Sequence, residues 1–275
     1  MRIAVLQMTS GIDPAANAST IFDAVKAARA GGAQMLFTPE MSGLIDRDRE
    51  RAASHIVPAS QDPVLAAVRT AASLENMWVA LGSLAVRRPD GRLANRSFVI
   101  DHDGCITATY DKMHMFDVTL ASGETWRESA AYVPGDEVVT TKVPGLGTLG
   151  LSICYDVRFP ALYQELGKRA CDVVAIPAAF TRPTGAAHWH LLQRARAVEA
   201  SAYVVAAAQV GRHEDGRETY GHSLVVDPWG EVLLDMGGDS PGLGFAEIDP
   251  ARIAEVRSQL PSLANRRAMP KAART

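Results

Sequence analysis

The chain has 275 residues, of which 47% are hydrophobic and 21% are charged, and its formal net charge is −3. These values describe an ordinary soluble globular protein with one large domain or two small ones and a sizeable core. They argue against binding to nucleic acid or to an anionic membrane surface, since either would need a strong surplus of basic residues. We therefore expect a small-molecule ligand.

The first part of the chain alternates predicted strands and helices. Both predicted helices begin with an Asp-Pro pair, which places a capping side chain before a proline in the first helical turn. Short apolar runs between them are typical of buried strands. The predicted order is strand 3–8, helix from Asp13-Pro14, strand 35–37, helix from Asp62-Pro63 and strand 78–81.

A strand-turn-strand pattern then occurs twice. Residues 97–106 predict a hairpin, and residues 223–232 repeat its Ser, Asp and Gly positions. Two equivalent hairpins suit a fold built from two similar layered halves. Between them we predict strand 147–153, a helix from Pro160, strand 173–176, helix 186–200 and strand 203–208.

The alternation predicts an α/β domain whose sheets are covered by helices. We take residues 1–264 as a single domain and residues 265–275, which are rich in Arg, Lys, Ala and Pro, as a C-terminal tail. No apolar run is long enough for a signal peptide or a membrane span, so we expect a cytoplasmic protein without a membrane partner.

The spacing of the three cysteines is not that of a disulfide-rich protein or of a zinc site. Their number is odd and they contain no C-x-x-C pair, which argues against a disulfide scaffold and against zinc-ligand spacing. We expect Cys105 and Cys171 to be core thiols. Cys154 differs because it follows a predicted strand and precedes a predicted helix, and a sharp strand-to-helix turn can expose a nucleophile beside free backbone N–H groups.

Two further residues could assist a thiol. Glu40 lies at the carboxyl end of a predicted strand, where ligand sites of open α/β sheets gather, and Lys112 lies among Tyr, Met and Phe residues. Taken singly, the three fit a core thiol, a solvated carboxylate and a snorkelling lysine. Taken together they supply a nucleophile, a base and a cation. The chain has no G-x-S-x-G elbow and no glycine-rich phosphate loop, so serine-elbow, phosphoryl and dinucleotide chemistry are not favoured.

The sequence resembles the nitrilase superfamily of carbon–nitrogen hydrolases nearly from end to end, in its amidase branch of deaminated glutathione amidases and omega-amidases. The resemblance implies a nitrilase-like four-layer α-β-β-α sandwich that pairs into a homodimer or a larger homo-oligomer. It also implies that Glu40 is the general base, Lys112 the oxyanion-stabilising cation, Cys154 the nucleophile and Glu128 a second glutamate near the lysine. The matching blocks are residues 38–40, 110–117, 126–129, 152–160 and 177–230.

By the same resemblance, the backbone N–H of Tyr155 assists Lys112 in holding the oxyanion. Phe116, Phe180 and Thr181 are expected to line the pocket, on family position alone. Arg158 either pairs with Asp156 or a neighbouring acid or receives a substrate carboxylate, and we favour the pairing because it would anchor the helix that follows.

His190 stands where relatives often carry glutamate, which puts substrate preference or pH dependence at this position in question. Since residues two apart on a helix point to different faces, His188 and His190 form a poor bidentate metal site, and we predict neither a metal nor a cofactor.

The residues after Cys154 resemble the amidases, whereas true nitrilases usually carry Cys-Trp-Glu there. The resemblance implies hydrolysis of a primary amide to a carboxylate and ammonia through a cysteine thioester. The substrate would be deaminated glutathione or a 2-oxo acid omega-amide such as α-ketoglutaramate, and 206–209 with 228–230 favours the former. An N-carbamoyl amino acid or β-ureido acid hydrolase and a non-catalytic scaffold remain alternatives.

Overall fold

The computed structural model describes residues 1–119, 123 and 125–268, in which strands and helices alternate as predicted. The helices are α1 (Pro14–Ala30), α2 (Arg49–His55), α3 (Pro63–Glu75), α4 (Pro160–Lys168), α5 (Arg182–Ala200) and α6 (Pro250–Gln259). The strands are β1 (Arg2–Gln7), β2 (Met35–Phe37), β3 (Trp78–Arg87), β4 (Leu93–Ile100), β5 (Ile106–Asp111), β6 (Asp117–Thr119), β7 (Thr125–Arg127), β8 (Thr140–Val143), β9 (Gly147–Leu151), β10 (Val173–Ala175), β11 (Tyr203–Ala206), β12 (Val210–Arg212), β13 (Glu218–Tyr220), β14 (Leu224–Val226), β15 (Val232–Asp235) and β16 (Gly242–Glu247).

The two large sheets of the described residues share one topology. Their strand orders are β16-β1-β2-β3-β4-β5 and β8-β9-β10-β11-β14-β15. In each sheet the outer first strand is antiparallel to its neighbour, three parallel strands follow, and an antiparallel hairpin closes the far edge. The hairpins are β4-β5 and β14-β15, which confirms the prediction of two similar halves.

Alternating side chains of the central strands fill two different cores. Ile3 and Val5 of β1 pack in one cluster with residues of the second sheet such as Leu149. Ala4 and Leu6 of the same strand pack with α1 and α3. Because α4 and α5 cover the other side of the second sheet, the order of layers is helices, sheet, sheet, helices. The predicted four-layer sandwich is confirmed.

The Asp-Pro signals mark real helix starts. Asp13 accepts a hydrogen bond from Ala15 N at 2.8 Å, and Asp62 accepts one from Leu65 N at 2.8 Å. Each satisfies a donor that the first helical turn leaves unpaired. Helix α5 begins four residues earlier than predicted, because Pro183 is suited to the first helical turn and extends it to Arg182.

One cysteine prediction is wrong. Cys171 is buried, as predicted, but Cys105 is exposed. Its position is the turn between β4 and β5, where its backbone N–H donates to Asp101 Oδ1 at 2.8 Å. A turn that reverses the chain at a sheet edge faces solvent whatever its side chains, so the thiol is not in the core.

The structure describes only the first residues of the predicted C-terminal tail. Arg266 Nη1 donates to the carbonyl of Gln164 on α4 at 2.8 Å, so the start of the tail contacts the outer helix layer. Residues 269–275 lie outside the described residues. Among the helices of the described ranges, none combines the length and hydrophobicity required to cross a bilayer.

Gly82 fixes the approach of β3 to the loop that carries Glu40. A Cβ at this position would overlap the backbone of Thr38 and Pro39. We expect Gly82→Ala to lower the free energy of unfolding by about 1–3 kcal/mol, since the strand and the loop would have to separate. Urea denaturation measures the change.

Gly242→Ala is the matched control, because the added methyl group there would meet only Met236 at ordinary contact distance. It should change the free energy of unfolding by less than about 0.5 kcal/mol. Equal stability of the two variants would show that the close approach at Gly82 is not a constraint.

Candidate active site

Four of the residues predicted to act together meet at one end of the two sheets. Glu40 follows β2, Lys112 follows β5, Glu128 follows β7 and Cys154 follows β9. Lys112 Nζ lies 2.8 Å from Glu40 Oε1 and 2.9 Å from Glu128 Oε2. Cys154 is buried beside the same carboxylate of Glu40. Glu40 and Cys154 follow parallel strands, at the carboxyl ends where such folds place ligands.

Lys112 is a buried cation held by two anions. Its side chain is 2% exposed. Burial alone would favour the neutral amine, but the carboxylates of Glu128 and Glu40 outweigh it and hold the pKa of Lys112 well above its usual value. An ammonium group has three N–H donors; one faces Glu40 Oε1 at 2.8 Å, and the two oxygens of Glu128, at 3.0 Å and 2.9 Å, can share a second. One donor is left to hold a further negative atom.

A strained turn presents Cys154. Its φ angle is +48°, in the left-handed region that non-glycine residues seldom adopt, and its N–H donates to Pro177 O at 2.8 Å. The turn opens a short 3₁₀ helix, Cys154–Arg158. Within the first turn of a helix, N–H groups such as that of Tyr155 lack helical acceptors. The predicted strand-turn-helix presentation is confirmed, although the turn is a 3₁₀ helix that leads into α4.

Asp156 anchors this turn, and the predicted pairing of Arg158 with Asp156 is wrong. The carboxylate of Asp156 is fully buried and accepts hydrogen bonds from the Tyr110 hydroxyl at 2.7 Å and from Ile153 N at 2.9 Å. Its other oxygen contacts N and Nδ1 of His114 at 3.0 Å and 2.7 Å. Both oxygens are therefore occupied by groups that come from inside the protein.

The thiol of Cys154 is protonated in the resting site. Burial first, and then the negative charge of Glu40, raise the pKa of Cys154 well above its usual value, and Lys112 offsets only part of this. Hydrogen bonding to Glu40 raises this pKa further. A carboxylate beside a buried thiol is placed to take its proton.

Sequence reasoning missed two groups that fix the carboxylates. Asn95 Nδ2 donates to Glu40 Oε1 at 2.9 Å and to Glu128 Oε1 at 3.2 Å, while Ala179 N donates to Glu40 Oε2 at 3.0 Å. A polar Asn inside the buried strand β4 was a usable signal, because Asn is depleted in strands. The backbone donor of Ala179 leaves no signature in the sequence.

Aromatic residues pack around Tyr155, which follows Cys154. The ring of Phe116 lies 5.1 Å from that of Tyr155, edge to face. The guanidinium of Arg158 lies over Tyr155 at 5.9 Å and over Phe180 at 5.3 Å, measured to the ring centres. Thr181 hydrogen-bonds instead to Thr184 at the start of α5, at 2.8 Å, and makes no hydrogen bond to the Cys-Glu-Lys cluster.

The two histidines of α5 have different partners, as the helical spacing predicts. His188 Nδ1 lies 3.3 Å from Arg158 Nη1, and His190 Nε2 lies 2.9 Å from Asp235 Oδ2. His190 thus contacts an acid on β15 and makes no ion pair with Lys112. Among the described residues, Arg158 forms no ion pair with a carboxylate.

Comparison with known proteins places this geometry in context. The family model described as carbon-nitrogen hydrolase matches residues 2–258. A Synechocystis protein named deaminated glutathione amidase is 38% identical over 268 residues, which cover 96% of this chain and 97% of that protein.

Solved structures agree with the sequence match. The NitFhit protein of C. elegans superposes with a TM-score of 0.88 at 38% identity, over 97% of this chain and 65% of that one. An amidase from Nesterenkonia sp. AN1 superposes with a TM-score of 0.77 at 28% identity, over 94% of this chain and 98% of that one. That structure is of a Glu-to-Gln mutant of the amidase, and it shows the result of Michael addition of acrylamide at the active site cysteine.

The pKa of Cys154 provides a test of the cluster. Since the charge and the hydrogen bond of Glu40 both raise it, Glu40→Gln should lower it and shift the pH midpoint of Cys154 alkylation by iodoacetamide to lower pH. Peptide-resolved mass spectrometry follows Cys154 separately from the exposed Cys105.

Glu165→Gln is the matched control, because Glu165 lies on the surface and pairs with Lys168. It should leave the midpoint of Cys154 unchanged. A midpoint in Glu40→Gln that stays in place or moves to higher pH would contradict the electrostatic account of the site.

Proposed function

The chain belongs to the carbon–nitrogen hydrolase family and is a hydrolase of amide carbon–nitrogen bonds, and we propose that it is a cofactor-independent thiol amidase with Cys154 as its nucleophile. The observation that carries the proposal is the position of the Glu40 carboxylate, which acts on the buried thiol of Cys154 and accepts a hydrogen bond from Lys112 Nζ at 2.8 Å. A thiol, a base and a cation in contact are the minimum set for acyl transfer through a thioester.

In the first step, Cys154 Sγ attacks the amide carbon while Glu40 takes the thiol proton. The carbon–sulfur bond forms and the carbonyl π electrons move to oxygen. Because the resting thiol is protonated, a base in direct contact is required for this step. We assign that base to Glu40, whose carboxylate is fixed by Asn95 and by Ala179 N–H.

The oxyanion is held by two donors. The remaining N–H of Lys112 provides one, and the backbone N–H of Tyr155 provides the other. Glu128 holds Lys112 in position through two contacts of 3.0 Å and 2.9 Å and is itself fixed by Phe116 N–H at 2.6 Å. Donors fixed before the reaction stabilise developing charge without reorganisation.

The intermediate then collapses. The carbon–nitrogen bond breaks, protonated Glu40 returns its proton to the leaving nitrogen, and ammonia departs from the thioester. Water enters, Glu40 removes a proton from it, and hydroxide attacks the thioester carbon. The carbon–oxygen double bond re-forms as the carbon–sulfur bond breaks, Glu40 returns its proton to the sulfur, and the carboxylic acid leaves and loses its own proton to solvent.

The substrate proposal rests on Arg158 and on the relatives. Arg158 lies over the rings of Tyr155, which follows Cys154, and of Phe180, and it is not neutralised by an acid of the described residues. A cation near the nucleophile suits a substrate that carries its own carboxylate. We therefore propose amides of 2-oxo acids, with deaminated glutathione first, as the relative's name suggests, and α-ketoglutaramate as its closest alternative.

We also propose that the chain forms a homodimer or larger homo-oligomer through the outer face of α5. Leu191 and Val198 lie one heptad apart on that face, at 67% and 42% exposure. Gly230, next to the half-exposed Trp229, adjoins Val198. Exposed apolar groups in one patch favour association, and a second copy offers the same patch.

A reducing compartment suits the chemistry. The mechanism needs a free thiol at Cys154, and Cys105 offers a second, exposed thiol. Exposed thiols persist where glutathione and thioredoxin keep them reduced. We therefore propose that the enzyme works in the cytoplasm.

Ammonia release from a defined panel tests the activity. The panel contains deaminated glutathione, α-ketoglutaramate, simple aliphatic amides and N-carbamoyl-β-alanine. We expect turnover of a 2-oxo acid amide and none in Cys154→Ala, since the acyl-enzyme cannot form. Carbon dioxide release from N-carbamoyl-β-alanine would indicate a ureido hydrolase, and turnover that survives in Cys154→Ala would refute the mechanism.

Arg158→Gln tests recognition of the substrate carboxylate. A hydrogen bond to a charged group contributes about 1.5–3 kcal/mol, so KM for the 2-oxo acid amide should rise about tenfold to hundredfold, with a smaller change in kcat. KM for a neutral aliphatic amide should not change.

The control is Arg182→Gln, because Arg182 is an exposed arginine that pairs with Glu218. It should leave both KM values unchanged. An equal loss with neutral and carboxylate-bearing amides in Arg158→Gln would assign Arg158 to the shape of the pocket rather than to charge recognition.

A further inference from the structure

A second cluster of polar side chains lies outside the Cys-Glu-Lys site. His190 from α5, His222 from the loop before β14 and Asp235 at the end of β15 turn toward one another. His190 Nε2 lies 2.9 Å from Asp235 Oδ2, and His222 Nδ1 lies 2.9 Å from Asp235 Oδ1. One potential ligand atom from each residue lies within 4.8 Å of both others.

These distances approach those of a metal site. Tetrahedral ligands about 2.0–2.1 Å from a zinc ion lie about 3.3–3.4 Å from one another. The two contacts with Asp235 are a few tenths of an ångström shorter, so small side-chain rotations would admit an ion. The two imidazole rings are already inclined at 73° with their centres 5.0 Å apart, which lets both ring edges face a common point.

The backbone around the cluster is fixed by hydrogen bonds. His222 N donates to Gly237 O at 2.7 Å, and His222 O accepts from Trp189 Nε1 at 2.7 Å. Gly237 N donates to Asp235 Oδ1 at 2.9 Å. Such outer contacts orient metal ligands before the ion arrives.

We propose that His190, His222 and Asp235 bind a divalent transition-metal ion of the zinc type, with solvent in the fourth position. Two imidazoles and one carboxylate are donors that zinc accepts. Each imidazole would coordinate through the nitrogen that now faces Asp235 and carry its proton on the other nitrogen, so any proton now shared with Asp235 moves to that nitrogen or to solvent when the ion binds. The spacing of residues on a helix argues only against a site formed by His188 and His190. The fold instead brings His222 and Asp235 to His190.

Such an ion would join three separate segments. It would tie α5 to the β14-β15 hairpin at the edge of the second sheet. Helix α5 begins directly after Phe180 and Thr181, so the ion would stiffen a helix that starts at the pocket wall. Its role would be structural, since the ligands are not part of the Cys-Glu-Lys cluster, and the proposal does not depend on the amidase mechanism.

Cobalt titration tests the site. The full chain carrying Cys105→Ser, which removes the exposed thiol, is treated with a chelator and titrated with Co²⁺ while its visible absorption is recorded. We expect one equivalent to give the d–d bands of four-coordinate cobalt and Zn²⁺ to displace it. In His190→Gln the affinity should fall at least about 100-fold, since loss of a ligand exceeds the loss seen for outer contacts.

The control is His102→Gln, which alters an exposed Asp101-His102-Asp103 group with similar donors. It should bind cobalt unchanged. Asp235→Asn is a second test should His190→Gln fail to fold, which circular dichroism reports. Absence of stoichiometric binding, binding that persists without His190 or Asp235, or binding lost only in His102→Gln would each overturn the proposal.

Discussion

Lys112 is a charged group in a place that water does not reach, and the candidate active site is built around that constraint. A buried ammonium without partners would lose its proton or destabilise the fold. Glu40 and Glu128 prevent this, but one buried and one partly buried carboxylate need donors in turn. Asn95 donates to both carboxylates, and backbone N–H groups of Phe116 and Ala179 supply the rest. The positions of the loops around the site follow from these requirements.

The repeated sheet topology explains how distant segments meet these requirements. Glu40 follows the middle parallel strand of the first sheet, and Ala179 follows the equivalent strand of the second. When the two sheets pack face to face, both strand ends reach the same edge. Side chains then connect the halves: Gln209 Nε2 donates to Glu40 O at 2.9 Å, and Ser223 N donates to Gln7 Oε1 at 2.8 Å. The site therefore depends on correct packing of both sheets.

Local signals predicted the elements of this fold well where one physical rule dominates. Asp13 and Asp62 cap helices because a carboxylate before the first turn accepts an unpaired backbone N–H, and proline fits that turn. The strands buried on both faces were evident from their apolar runs. The short hairpins β6-β7 and β12-β13 and the helices α2 and α6 were not predicted, because their sequences are polar and only neighbouring segments stabilise them.

The site residues were likewise predictable from sequence motifs, whereas their partners from distant segments were not. Family motifs indicated Glu40, Lys112, Glu128 and Cys154, and the structure brings these four together. Sequence could not show that Asp156 is already occupied by Tyr110 and His114, so its pairing with Arg158 was predicted wrongly. It also could not show that His190 meets Asp235, 45 positions away. Partners from distant segments depend on packing, which a local pattern does not contain.

The proposed mechanism also explains why the resting thiol keeps its proton. A thiolate beside Glu40 and Glu128 would place three negative charges around one lysine. When Cys154 attacks with its proton passing to Glu40, one carboxylate becomes neutral as the oxyanion forms. The net charge near Lys112 is −1 before and after this step. Negative charge moves from one contact of the lysine to another, so the low-polarity surroundings need not accept additional charge in the transition state. The raised pKa of Cys154 therefore keeps the charge around Lys112 constant during the attack.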